Sequence, residues 1–202
     1  MDDIVKAAMA KWPNVPDCYG WLGLDARGNW YMRDDQAQAA GLFCAPSSEL
    51  GRQAASKGSL LKHEKLIDFI QRNYAADAQG QWFFQNGPQR VYVELEATPY
   101  IWRVGSAPDF DVTAHDGQVA ITQRCFIDQH GRVYLETALG FGLVHTSDML
   151  QAADAIEQGL WVQQEVLAGE LQGRFGYVRS PQGVNDPVFT NALCECKTLP
   201  SP

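Results

Sequence analysis

Apolar and polar residues alternate most regularly over residues 89–97, where Val91, Val93 and Leu95 are separated by Arg90, Tyr92, Glu94 and Glu96. A period of two is what a half-buried antiparallel strand requires, because successive side chains leave opposite faces of a sheet. The pattern predicts a strand whose Val/Val/Leu face meets the core and whose Arg/Tyr/Glu face looks away from it. Further strands are expected near 20–33, 81–86, 100–104, 119–126, 132–137 and 174–179. Two stretches carry a helical period instead. In SLLKHEKLIDFIQRNY (59–74), Leu60, Ile67, Ile70 and Tyr74 share a face, with Leu66 beside them and Ser59 as the expected cap. In SDMLQAADAIEQGLW (147–161), Met149, Ala153, Ile156 and Leu160 form the expected buried stripe, with Ser147 as cap and Asp148 in the first turn.

Between the apolar runs one turn recurs. The chain reads LDARGNWY from Leu24, ADAQGQWF from Ala76 and IDQHGRVY from Ile127, which places D-x-x-G at Asp25, Asp77 and Asp128. Aspartate accepts hydrogen bonds from backbone amides just ahead of it, and glycine takes the left-handed conformation that closes a short hairpin. Each copy therefore predicts a hairpin corner, with Gly28, Gly80 and Gly131 at positive φ. A weaker echo, ELQGRF, starts at Glu170. Many strands and few helices predict an α+β fold, β-rich, with antiparallel hairpins forming roll-like sheets around two main helices. The expected organisation is an N-terminal α+β half over 15–104, a C-terminal β-rich half with one helix over 105–190, and a tail over 191–202.

Composition narrows the classes of partner. The 202 residues carry a formal net charge of −8, with no Lys/Arg run to act locally. Affinity for a phosphate backbone comes mainly from Lys and Arg, so no nucleic-acid partner is expected. No stretch has the length and apolarity of a membrane span, and the N-terminal MDDIVKAAMAKWPNVP reads as neither a secretory signal nor a transit peptide. A cytoplasmic location without membrane attachment is the expectation. Five scattered cysteines argue against a disulfide framework, and the close pair Cys194 and Cys196 lacks two further ligands nearby, so neither metal nor cofactor is expected.

The order of helix, D-x-x-G-x-W-F, a Pro-containing turn, VYVELE and TPY over residues 18 to 160 resembles uncharacterised proteobacterial proteins classed as domains of unknown function. That resemblance implies a two-part α+β roll and no activity.

Chemistry has few candidates. His63, His115, His130 and His145 lack the spacing of a metal clamp and are expected at turns or on the surface. LGFGLV from Leu139 lacks the third glycine of a dinucleotide turn. Glu94 with Glu96 and Asp109 with Asp111 are paired acids whose simpler role is surface solubility. Arg90 and Tyr92, on the polar side of their strand, and Arg103, beyond the Thr98-Pro99 break, are the candidate ligand contacts. Guanidinium forks and phenol rings bind planar anions and partner chains with little loss of entropy. Coverage of that face by the other half of the molecule is the competing explanation. The function expected is a non-enzymatic module binding a small molecule or a protein, and the alternative is a small hydrolase assembled from dispersed His and carboxylate residues. The oligomeric state is not legible in the sequence.

Overall fold

The computed structural model describes residues 1–44 and 56–185. Each D-x-x-G motif closes a hairpin with the same bonds. Asp25 Oδ1 accepts the amides of Arg27 and Asn29, Asp77 Oδ1 those of Gln79 and Gln81, and Asp128 Oδ1 those of His130 and Arg132, all at 2.8–3.0 Å. The glycine amide returns to the aspartate carbonyl in every copy, and φ is +82°, +77° and +75° at Gly28, Gly80 and Gly131. The echo at Glu170 is not a turn of this kind, since its residues begin a helix.

The first hairpin joins β1 (Cys18–Leu24) to β2 (Trp30–Met32), and a short β3 (Ser59–Leu60) pairs beyond β2. The second joins β4 (Tyr74–Ala76) to β5 (Trp82–Asn86), and a Gly-Pro turn then leads into β6 (Gln89–Leu95). Together they form a six-stranded sheet in the order β3-β2-β1-β6-β5-β4, antiparallel except where β1 meets β6. The rest of the chain supplies β7 (Tyr100–Val104), β8 (Val112–Ala114), β9 (Val119–Ala120), β10 (Thr122–Asp128), β11 (Val133–Thr137), β12 (Phe141–Val144) and β13 (Gln163–Val166). These form a seven-stranded sheet in the order β13-β10-β11-β12-β7-β8-β9, with parallel pairings β7–β12 and β10–β13. Only Ile121 separates β9 from β10, although the two strands lie towards opposite ends of that order. Two virtual Cα bonds span at most about 7.6 Å, so the sheet curls until its ends approach.

The β-rich α+β class is as the sequence implied. One core gathers Leu22, Trp30, Val93 and Leu95 of the first sheet with Ile101, Phe126, Tyr134 and Leu143 of the second. The other fills the curled sheet with Trp102, Val112, Cys125, Leu135 and Val144, closed by Ala152, Ala155 and Trp161. Among the described residues the helices are α1 (Asp3–Lys11), α2 (Asp35–Ala40), α3 (Glu64–Arg72), α4 (Met149–Glu157), α5 (Leu171–Phe175) and α6 (Pro181–Asn185). The nine-residue α1 equals α3 and α4 in length and was not foreseen.

Several local expectations are corrected. The first expected helix begins at Glu64, because Ser59 and Leu60 pair with β2 and His63 Nδ1 caps the helix by accepting the Leu66 amide at 3.3 Å. A 3-10 turn over Thr146–Asp148 precedes α4, and the cap is His145 Nδ1, which accepts the Ser147 amide at 3.1 Å. The buried face of α4 is Ala152 and Ala155, whereas Ala153 and Leu160 are exposed. Small residues there let the helix approach the second core closely. Residues 174–179 are not a strand: Phe175 ends α5, and Val178 makes a single bridge to Gln81. Nor is β6 half-buried, since Tyr92 and Glu94 are as enclosed as Val93 and Leu95. Its second face is covered by Tyr19, whose ring stacks on Tyr92 at 4.5 Å, and by the start of α6, where Ser180 just before the helix and Gln182 in its first turn bond Glu94.

Candidate functional site

Leu95 ends β6 in one sheet and Tyr100 begins β7 in the other, so residues 96–99 carry the chain from sheet to sheet. Beside this crossing lies a cleft of about 720 Å³, the size of a small-molecule site. Glu96 and Thr98 line one side, His130, Arg132 and Tyr134 of the third hairpin another, and Gln172, Tyr177 and Arg179 the remainder.

The D-x-x-G turn itself positions the second side. Asp128 spends one carboxylate oxygen on the turn amides and the other on Arg132 Nε at 2.7 Å and on the Tyr134 hydroxyl at 3.0 Å. Burial pushes the Asp128 carboxyl up, but the hydrogen bonds from Arg132, His130 and Tyr134 outweigh it and hold it below its ordinary value. Arg132 is thus anchored at its enclosed edge while its side chain stays 46% exposed.

Arg179 is placed by its backbone. Its amide donates to Gln172 Oε1 at 2.9 Å, and its carbonyl accepts the Leu95 amide at 2.8 Å. The guanidinium Nη2 donates to the Glu96 carbonyl, while Nε is enclosed without a partner. Arg179 pairs with no carboxylate among the described residues. The Glu96 carboxylate is committed elsewhere, to the Ala26 amide and Lys57 Nζ, both at 2.8 Å. Burial pushes the Tyr177 hydroxyl up to about 12 and, against the pull of Arg179, the Cys44 thiol up to about 11, so both are protonated near neutral pH. The cleft therefore offers cationic and neutral donors and no free acid of its own, which suits an anionic group.

The sequence candidates lie elsewhere. Arg90 and Tyr92 are together on β6: the Arg90 guanidinium lies 4.9 Å above the Phe83 ring, and the Tyr92 hydroxyl donates to Asp77 Oδ2 at 3.1 Å. Arg103 belongs to the other sheet, where Nε and Nη2 grip the Asp148 carboxylate at 2.6 and 3.0 Å, and the Val104 amide adds a third donor at 3.1 Å. Glu94, expected on a solvated face, is enclosed. It accepts the Ser180 hydroxyl and, at 2.9 Å, the Gln182 amide, and burial raises its carboxyl above the ordinary range.

His63 caps α3, His145 caps the 3-10 turn before α4, and the exposed His130 ring meets Gln129. His115 corrects the expectation of a solvated turn residue. The residue as a whole is partly buried, and its ring is enclosed by Trp30, Tyr74 and Tyr100, with Nδ1 accepting the Ile101 amide at 3.3 Å and Nε2 left without a partner. Desolvation pushes its pKa down to about 4, although Asp116 pulls the other way. LGFGLV makes the tight turn at Thr137–Gly140 that enters β12. Among the described residues no group of three or more His, Cys, Asp or Glu could hold a metal, and Cys194 and Cys196 lie outside those residues.

Sequence reasoning missed Arg132 and Arg179. For Arg132 a signal existed, because a residue four beyond the turn aspartate has its amide on that carboxylate and its side chain within reach of it. Arg179 gave none, since Leu95 and Glu96, which fix it at the cleft, are more than eighty residues away in the chain.

No curated protein matches the sequence. Among solved structures the fold is similar to a DUF1285 family protein from Silicibacter pomeroyi, with 12% identity and a TM-score of 0.46 over 76% of this chain and 84% of that one. It is also similar to a DUF1285 family protein from Shewanella baltica, with 14% identity and a TM-score of 0.40 over 67% of this chain and 91% of that one. The family model DUF2944, described as "Protein of unknown function (DUF2946)", matches residues 1–182. The resemblance noted over residues 18 to 160 thus extends across nearly the whole chain, which belongs to this family of unknown function.

Proposed function

We propose that the chain is a non-enzymatic binding module whose cleft between the sheets takes a small ligand through a carboxylate or phosphate group. One observation carries this reading: Arg179, a half-buried cation with no carboxylate partner among the described residues, is fixed at the cleft by both its backbone and its Nη2. A cation held without a counter-ion in a chain of net charge −8 favours an anion brought from outside. Arg132 and His130 flank the same opening. The binding role is also favoured over the hydrolytic alternative by the histidine rings, whose hydrogen bonds go to backbone amides or to a glutamine. A cytoplasmic setting accords with Cys18, Cys44 and Cys125 as free thiols.

The test is a thermal-shift screen of carboxylated and phosphorylated metabolites at low salt. A ligand present at 100 times its dissociation constant adds about 2.7 kcal/mol to stability. The proposal expects anionic compounds to dominate the hits, with the shift reduced in Arg179→Gln. Hits confined to neutral or cationic compounds would reject it.

A further inference from the structure

The turn after α1 and the turn between β5 and β6 enclose a second groove, of about 570 Å³, well away from the sheet junction. Six of its lining residues matter: Trp12, Pro13, Pro16, Asp17, Gln85 and Arg90. Two opposite charges face this one groove, yet Asp17 and Arg90 pair neither with each other nor with any other charged side chain among the described residues. Arg90 is not a loose surface arginine. Its guanidinium lies 4.9 Å above the Phe83 ring and against the Tyr92 hydroxyl, itself bonded to Asp77, so it is held ready for a ligand.

Gln85 adds an independent signal. It is 1% exposed, its Nε2 donates to the Gly87 carbonyl at 2.9 Å, and its Oε1 is enclosed with no donor. A buried acceptor without a donor is costly and marks a place where one is missing. Trp12, 52% exposed, lines the same groove as Pro13 and Pro16, whose rings contribute rigid apolar surface, and Lys11 Nζ lies 4.5 Å from the centre of its ring.

We propose that this groove binds a free α-amino acid with an apolar or aromatic side chain. The ligand carboxylate pairs with Arg90, its ammonium pairs with Asp17 beside the Gln85 amide, and its side chain lies against Trp12 and the prolines. Arg90 and Tyr92 then act as ligand contact and positioning residue respectively, while Arg103, bound to Asp148, has no part in this site. Both charges of the ligand are used at once, which separates a free amino acid from either terminus of a long peptide.

The test follows the Trp12 indole resonance, assigned with Trp12→Phe, during titration of the intact chain with L-phenylalanine, N-acetyl-L-phenylalanine and L-phenylalaninamide. The expected result is a saturable shift with L-phenylalanine at millimolar or lower concentration and binding weaker by at least about tenfold for each derivative. Arg90→Gln should abolish the preference for the acid over the amide, and Asp17→Asn the preference for the free amine over the acetylated one. Arg179→Gln should leave all three titrations unchanged, which separates this groove from the sheet-junction cleft. No saturable shift with L-phenylalanine, L-leucine or L-tryptophan, or equal binding of the blocked compounds to the wild-type chain, would overturn the proposal.

Discussion

Acid should loosen the joint between the sheets through one imidazole. The Gly28 corner of the first hairpin rests on His115, whose ring is enclosed by Trp30, Tyr74 and Tyr100 with Nε2 unpartnered. Protonation would place a charge among aromatic rings with only the neighbouring Asp116 to offset it, so the pKa falls from 6.5 to about 4. The folded value is the lower one. Between the two pH values the unfolded chain binds the proton that the folded chain refuses, and stability must fall as pH is lowered through that window. At about 1.4 kcal/mol per pH unit, the full gap amounts to about 3 kcal/mol. Other groups titrate over the same range, so the measurement must isolate His115. His115→Asn keeps an acceptor near the position of Nδ1 for the Ile101 amide and removes the titration. Urea denaturation of both proteins between pH 7 and pH 4, followed by tryptophan fluorescence, gives the difference in unfolding free energy. The wild type should lose about 3 kcal/mol relative to the variant across that range. A difference that stays flat would refute the reasoning and show that the fold accommodates the imidazolium.

Two further substitutions test the scaffold. A Cβ at Gly80 would lie 2.1 Å from the Gly176 carbonyl oxygen, whereas one at Gly131 would meet nothing within 4 Å. Gly131→Ala should therefore cost only the left-handed strain of about 1–2 kcal/mol and Gly80→Ala distinctly more in urea denaturation; equal losses would show that the Gly80–Gly176 contact yields. Arg33, 1% exposed, donates to the carbonyls of Gly20, Gly41 and Ser56 and lies in the field of Glu94. Arg33→Met should destabilise by about 3–5 kcal/mol, read by chemical denaturation, and a loss below about 1 kcal/mol would show that the carbonyls find other donors.

What could be read from the sequence follows the range of the interactions. The three hairpins were legible because Asp25, Asp77 and Asp128 each organise a turn with bonds to residues no more than four positions away. Helix caps are equally local, yet Ser59 and Ser147 drew attention from His63 and His145, whose ring nitrogens do the capping. Burial of Tyr92 and Glu94 could not be seen, since it depends on Tyr19 and Ser180, brought together by a parallel pairing of β1 with β6 and by a return of the chain more than eighty residues later. The cleft is the extreme case: the Glu96, Arg132 and Arg179 regions that line it come from three distant parts of the chain. Arg90 and Tyr92 were visible as an unusual pair on a strand, but the Asp17 and Gln85 that give the second groove its character were not.

The central claim, that Arg179 receives an anion in the cleft, is tested most directly by isothermal titration of the best anionic hit into the wild type and Arg179→Gln. A hydrogen bond to a charged group contributes about 1.5–3 kcal/mol, so the variant should bind about tenfold to somewhat over a hundredfold more weakly, with its stability in the absence of ligand essentially retained. Equal affinities for the two proteins would contradict the account.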